Sequence, residues 1–91
     1  MDFQGKTVIV TGSTRGIGNV VAVRFASLGA NVMLSGTSDS VHTVADSLKE
    51  KGFSVAGYSG DLSTPVAAQG LIDKTLETFG NLDVLVNNAG I

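Results

Sequence analysis

The sequence predicts an α/β fold in which a parallel sheet alternates with helices in the order β-α-β-α-β-α-β. Three observations predict it. Short apolar runs such as "VIV" and "VLV" recur along the chain, and their β-branched character fits strands covered on both faces. Segments with apolar residues at helical spacing stand between them. Most of the 12 glycines, set against a single proline, fall at the ends of these periodic segments and read as punctuation. Because neighbouring parallel strands need a helix to return the chain, this alternation implies right-handed crossovers and one sheet.

The elements follow in turn. "KTVIVTG" predicts a central strand over residues 7–11. From Ile17 the period changes, and Ile17, Val20, Val21, Val23, Phe25 and Leu28 include a 3–4 spaced stripe that predicts a helix stopped by Gly29. Its valines are mediocre helix formers, so packing must hold it more than propensity. "NVMLSG" predicts a second strand over 31–35. "SDSVHTVADSLKEKG" predicts a helix capped by Ser38 or Asp39, with Val41, Val44, Ala45 and Leu48 as its buried stripe and Gly52 beyond its end. "FSVAGYS" predicts a third strand over 53–59, weakened by Gly57. In "STPVAAQGLIDKTLETFG", Thr64 caps, Pro65 takes the first helical position and Gly80 ends the helix. A fourth strand is expected over 84–86.

With 91 residues and no internal linker, the chain has room for one domain. A net charge of −2 argues against nucleic acid or an anionic membrane as main partner. The absence of cysteine excludes a disulfide scaffold and fits a reducing compartment. No apolar run approaches the ~20 residues of a membrane span, and "MDFQGKT" lacks the zones of a secretory leader, so the expected location is cytoplasmic. His42 has no acidic or cysteine partner at ligand spacing and reads as a surface residue; no metal-ligand cluster is expected.

"TGSTRGIG" carries the chemistry. It spans the first strand-to-helix corner, where the leading amides of the helix lack internal partners and the peptide dipoles sum to about half a positive charge. Side chains at Gly12, Gly16 or Gly18 would obstruct the turn, a ligand's approach or helix-against-strand packing. The corner therefore suits a diphosphate, on the pattern of a Rossmann-like, partial doubly wound fold. The spacing is G-x-x-x-G-x-G, distinct from G-x-G-x-x-G, and no G-K-[ST] follows. A tight turn without a ligand is the alternative.

"TGSTRGIG" together with "NNAG" at Asn87 to Gly90 resembles the short-chain dehydrogenase/reductase family. The resemblance runs from Gly5 to Ile91, and within the family the frame is most similar to bacterial 3-oxoacyl-[acyl-carrier-protein] reductases. It implies strand order 3-2-1-4 and a nicotinamide dinucleotide held by Gly12, Ser13, Thr14, Arg15, Gly16, Ile17 and Gly18. It implies further contacts from Thr37, Ser38, Asp61 and Leu62, and from Asn88, Ala89 and Gly90 at the last strand's end. On this pattern the Asp61 carboxylate accepts from the adenine amino group while Leu62 lies along the ring. An ordinary Asp turn, and an asparagine pair that merely ties strands, are the alternatives.

Where NAD-dependent relatives carry an aspartate at the second strand's end, this chain has Gly36. Thr37 and Ser38 can donate to a 2′-phosphate there, and Arg15 can approach the same group. NADP(H) is therefore expected over NAD(H), with Arg15 as a solvated surface cation the alternative. On this reading Gly36→Asp should move preference towards NAD.

The resemblance also implies a tyrosine acid/base with a lysine four residues later and a serine that positions the carbonyl. The single tyrosine, Tyr58, is followed four residues on by Leu62, so no catalytic residue is assigned. Residues 1–91 are thus expected to be the N-terminal NADP(H)-binding part of a carbonyl reductase, inactive alone. The parent's expected partner is an acyl-carrier-protein substrate. "DVLVNNAGI" reads as the middle of a longer protein, whose fourth strand would otherwise be an apolar edge, and a homo-oligomer joined near that edge is expected. A stand-alone nucleotide-binding or regulatory module, or an inert folding fragment, are the competing readings.

Overall fold

A computed structural model describes residues 2–88. Its elements are β1 (Thr7–Val10), α1 (Gly16–Ser27), β2 (Asn31–Gly36), α2 (Ser40–Glu50), β3 (Val55–Ser59), α3 (Pro65–Phe79) and β4 (Val84–Val86). The strands form one parallel sheet in the order β3-β2-β1-β4. The expected alternation and strand order are both present.

Strand periodicity sorts the core into two layers. Val8, Val10, Val32, Leu34 and Val55 face α1 and α2, meeting Ala22 and Ala26 from the first and Val41, Ala45 and Leu48 from the second. Ile9 and Met33 point to the opposite face, where Leu71 of α3 covers them with Tyr58, Ile72 and Phe79 packed around. Every β1 residue is buried, which is why this strand is apolar without alternation. Removing one such side chain from water, Leu34 for example, contributes about 1.5–3 kcal/mol.

The predicted stripe of α1 needs correction. Ile17 and Val20 are 74% and 69% exposed, and the helix instead buries Gly18, Ala22 and Ala26. Residues four apart lie on one face of a helix, and three small ones let its backbone settle close on the sheet. The larger residues Val21, Val23 and Phe25 flank that seam and are partly buried. Phe25 meets Phe3 edge to face, with ring centroids 5.1 Å apart.

The start of β3 differs as well. β3 begins at Val55, not at residue 53, because the Phe53 amide turns back to the Leu48 carbonyl at 3.2 Å and closes the end of α2. Asp39 holds the N-cap position of α2 with helical dihedrals, but its side chain caps nothing. Its Oδ1 accepts from Ser59 Oγ at 3.3 Å, while Ser38 Oγ takes the Ser40 amide at 3.4 Å. At α3 the expected signals are realised: Thr64 Oγ1 accepts the Ala67 amide at 3.2 Å, and Gly80 closes the helix with φ 84°.

β4 has only three residues, and side chains clasp it to β1 at both ends. At the amino end Asp83 Oδ2 accepts the Thr7 amide at 2.9 Å, and Thr7 Oγ1 donates to Asn81 Oδ1 at 2.7 Å. At the carboxyl end Thr11 Oγ1 accepts the Asn88 amide at 2.8 Å and lies 3.2 Å from Asn87 Oδ1. These clasps fix the strand end that borders the site.

Candidate functional site: the carboxyl rim of β1, β2 and β3

In strand order 3-2-1-4 the strands are added to one side of β1 and then to the other, and this switch opens a crevice at their carboxyl ends. The turn from β1 into α1 forms its floor. Gly12 (φ 59°) and Gly16 (φ 64°) adopt left-handed backbone conformations that cost most other residues about 1–2 kcal/mol. Gly18 is required for proximity: a Cβ there would collide with the Gly12 carbonyl and stand 2.6 Å from Asn88 Nδ2.

Ser13 turns inward. It is completely buried; its amide donates to the Ser35 carbonyl at 3.1 Å, and its Oγ accepts the Ser35 amide at 3.0 Å. The turn is thereby pinned to β2. Asn19 Nδ2 donates to the Ser13 carbonyl at 3.1 Å, and Asn88 Nδ2 to the Gly12 carbonyl at 3.2 Å. Main-chain carbonyls of the turn thus point at partners within the protein.

The amide end of α1 is left open. Arg15 takes the N-cap position in an extended conformation without capping the helix, and no acidic residue sits in the first turn. The space a side chain at Gly16 would occupy is empty, and Ile17 points outward. In contrast to α3 with its threonine cap, α1 has no side-chain cap on its first amides and positive pole.

A cleft of ≈ 480 Å³ lies over this end. Gly12, Thr14 and Arg15 supply one wall, Ser35, Gly36 and Thr37 the next, and Gly60, Asp61, Leu62 and Ser63 the far side. A recess of ≈ 280 Å³ continues from it between Thr14, Arg15, Thr37, Ser38, Ser40 and Val44. Three chain segments therefore converge on one elongated groove with a cation and several hydroxyls at one end and an aliphatic side chain, Leu62, at the other.

Asp61 stands on the far side of the groove. Ser63 donates to its Oδ1 through both the hydroxyl (2.7 Å) and the amide (2.9 Å), and these bonds hold its carboxyl below the ordinary carboxylate value. The Asp61 main-chain carbonyl accepts from the Thr64 amide and hydroxyl, so this residue also builds the turn into α3.

Of the residues singled out in the sequence, Gly12, Thr14, Arg15, Thr37, Ser38, Asp61 and Leu62 line the cleft or its recess. Gly16, Ile17 and Gly18 form the helix end beneath them, and Ser13 and Asn88 buttress the turn from behind. Ala89 and Gly90 lie outside the described residues. Sequence reasoning overlooked Ser35, Ser40, Val44, Gly60 and Ser63 as lining residues, and Thr11 as the clasp. A threonine ending an otherwise apolar strand, and Asp-Leu-Ser before a helix cap, were the available signals. Tyr58 sits elsewhere, its hydroxyl donating to the Ala67 carbonyl at 3.0 Å beneath α3.

A protein-family model described as short chain dehydrogenase matches residues 6–91. The chain belongs to that family. It is 44% identical over its whole length to an uncharacterized oxidoreductase of Thermotoga maritima, covering 36% of that protein. It is 41% identical to glucose 1-dehydrogenase 2 of Bacillus subtilis, over 98% of this chain and 35% of the relative. The L-sorbose reductase of Gluconobacter frateurii, solved with NADPH and L-sorbose, superposes with a TM-score of 0.93 at 40% identity, covering all of this chain and 35% of that one. A short-chain dehydrogenase/reductase of Burkholderia phymatum in complex with NAD gives 0.87 at 32% identity, over 93% of this chain and 31% of that one. The chain thus spans about a third of the length of these relatives. It carries the Rossmann-like parallel sheet that those structures share.

Among the described residues no three His, Cys, Asp or Glu side chains gather at metal-binding distance, and no helix is long and apolar enough to cross a membrane.

Proposed function

We propose that residues 1–91 form the NADP(H)-binding part of an oxidoreductase that interconverts a carbonyl and an alcohol. One observation carries the cofactor choice. Arg15, Thr37 and Ser38 line a single recess beside Gly36, so the end of β2 offers a cation and hydroxyls where an NAD-selecting carboxylate would stand. Asp39, the nearest acid, is turned to Ser59. A relative named L-rhamnose 1-dehydrogenase (NADP(+)), 36% identical, and the NADPH complex of L-sorbose reductase support the same choice.

The groove's parts match the dinucleotide's. The amides of Gly16, Ile17 and Gly18 would take the diphosphate, Arg15 with Thr37 and Ser38 the 2′-phosphate, and Leu62 and Asp61 the adenine. When bound, the nicotinamide supplies or accepts the hydride. The protein's contribution here is to hold it: an open amide end for negative charge, and a main chain that approaches closely because Gly18 carries no side chain.

For the substrate, the "GKTVIVTGSTRGIG … LDVLVNNAGI" frame favours reduction of a 3-oxoacyl-[acyl-carrier-protein] to its 3-hydroxyacyl form, in the cytoplasm, by a protein of which this chain is one part. A sugar carbonyl is the second reading, favoured by the glucose, rhamnose and sorbose enzymes among the relatives. Alone, the 91 residues would bind without turnover. Self-association is also part of the proposal, because Leu85 of β4 is 55% exposed on a short strand paired, among the described residues, only to β1. A monomer by light scattering at about 50 μM would contradict it.

Calorimetric titration tests the cofactor reading. Arg15→Ala should weaken NADP at least about tenfold and NAD less than about threefold, corresponding to loss of one charge-assisted phosphate contact. Equal losses for both nucleotides would remove the 2′-phosphate role.

A further inference from the structure

The acidic residue expected of an NAD-selecting β2 end is absent here, and the packing around Gly36 bears on whether one can be accommodated. The backbone of Gly36 lies outside the left-handed region, so its dihedrals would accept a side chain. The space would not. A Cβ built on Gly36 stands 2.8 Å from the Thr14 Cγ2 methyl and 3.3 Å from Val41 Cβ. The first contact is closer than carbon atoms tolerate, and the second requires α2 to yield by a few tenths of an ångström. The main chain that carries Thr14 has little freedom to retreat. Thr14 follows Ser13, which both main chain and side chain tie to Ser35, and it precedes Arg15 at the start of α1. The glycine turn and the end of β2 are thus packed through one methyl group.

We infer that Thr14 is a specificity-determining residue: its Cγ2 methyl closes position 36 to any side chain and so holds the β2 end in the form that admits a 2′-phosphate. Thr14 acts by packing, as a positioning residue. A carboxylate introduced at position 36 must turn or push aside the Thr14 side chain, which stands in the glycine turn. Gly36→Asp alone therefore damages the site before it can select NAD, and the change of cofactor requires Thr14→Ser, which removes only that methyl. The cofactor half of this inference rests on the dinucleotide reading above; the packing half does not.

Two cycles on the 91-residue chain test it. The first uses thermal unfolding of Gly36→Ala, Thr14→Ser and the double variant, and reads sterics alone. Gly36→Ala should lower Tm by about 4–8 °C when Thr14 is retained, and by less than half that when it is combined with Thr14→Ser. The second measures NADP and NAD binding by calorimetry for Gly36→Asp and for Thr14→Ser with Gly36→Asp. The single variant should lose NADP binding with no gain for NAD, and the double should bind NAD at least about tenfold more tightly than the single. Additive Tm shifts, or a Gly36→Asp chain that already binds NAD as well as the double, would overturn the inference. A coupled Tm cycle with no nucleotide binding by the unaltered chain would defeat the dinucleotide reading and the specificity claim with it, and leave the packing standing.

Discussion

Asn88 Nδ2 donates to the carbonyl of Gly12 at 3.2 Å, joining the exit of β4 to the turn that leads out of β1. The same carbonyl and amide nitrogen bound the space beside Gly18, so α1, β1 and β4 meet at one point with no room for a methyl group. Helix, turn and strand end meet in one close-packed corner, where the uncapped first turn of α1 begins.

Gly18→Ala should therefore destabilise the chain by about 1–3 kcal/mol, since backbone must move to admit the Cβ. Gly16→Ala meets open space and bears only the left-handed backbone penalty, about 1–2 kcal/mol. Urea denaturation of the two variants checks the order. A Gly16→Ala variant less stable than Gly18→Ala would contradict it.

The clasps on β4 yield a second expectation. Thr11→Val removes the acceptor of the Asn88 amide, and Asp83→Ala the acceptor of the Thr7 amide; each should cost about 1–3 kcal/mol. Hydrogen exchange localises the effect. The Asn88 amide should lose protection in the first variant and the Thr7 amide in the second, with β3 unaffected in both.

Much of this architecture was legible in the residues. Strands buried on both faces must be apolar throughout, so "TVIV" announced β1, and Thr64, Pro65 and Gly80 announced both ends of α3 through local backbone chemistry. The buried face of α1 was hidden for a physical reason. Apolar periodicity weighs residues by size, whereas a helix lying close on a sheet selects small ones, so Gly18, Ala22 and Ala26 hold the seam that periodicity assigns to the larger residues. In the site, Arg15 and Thr37 were visible as chemistry, but the contacts that position them are long-range. Neither the Thr14–Gly36 contact nor the bond from Asn88 to Gly12 has a sequence-local signal, because each exists only once the strands have paired.

Acid should act on Asp61 with a definite sign. Its folded value is depressed by the Ser63 hydroxyl and then the Ser63 amide, so the stability it contributes is present above the ordinary carboxylate value and is lost as pH falls through the lowered one. An NMR titration should place the Asp61 midpoint below that of an unstructured aspartate, and Ser63→Ala should raise it. An unchanged midpoint in Ser63→Ala would remove the hydroxyl as the main cause.

Tyr58→Phe deletes the bond to the Ala67 carbonyl while the ring stays packed under Gly70. The expected cost is about 0.5–1.5 kcal/mol, with nucleotide affinity unchanged within about twofold. A large loss of NADP binding in this variant would tie Tyr58 to the groove, contrary to its place beneath α3.

The most direct measurement of the central claim is an amide NMR titration of the chain with NADP. The amides of Gly16, Ile17 and Gly18 should show the largest shifts, saturating at the same nucleotide concentration as those of Thr37 and Leu62. Saturable shifts confined to other surfaces, with the start of α1 unmoved, would contradict the assignment of that helix end to the dinucleotide's diphosphate.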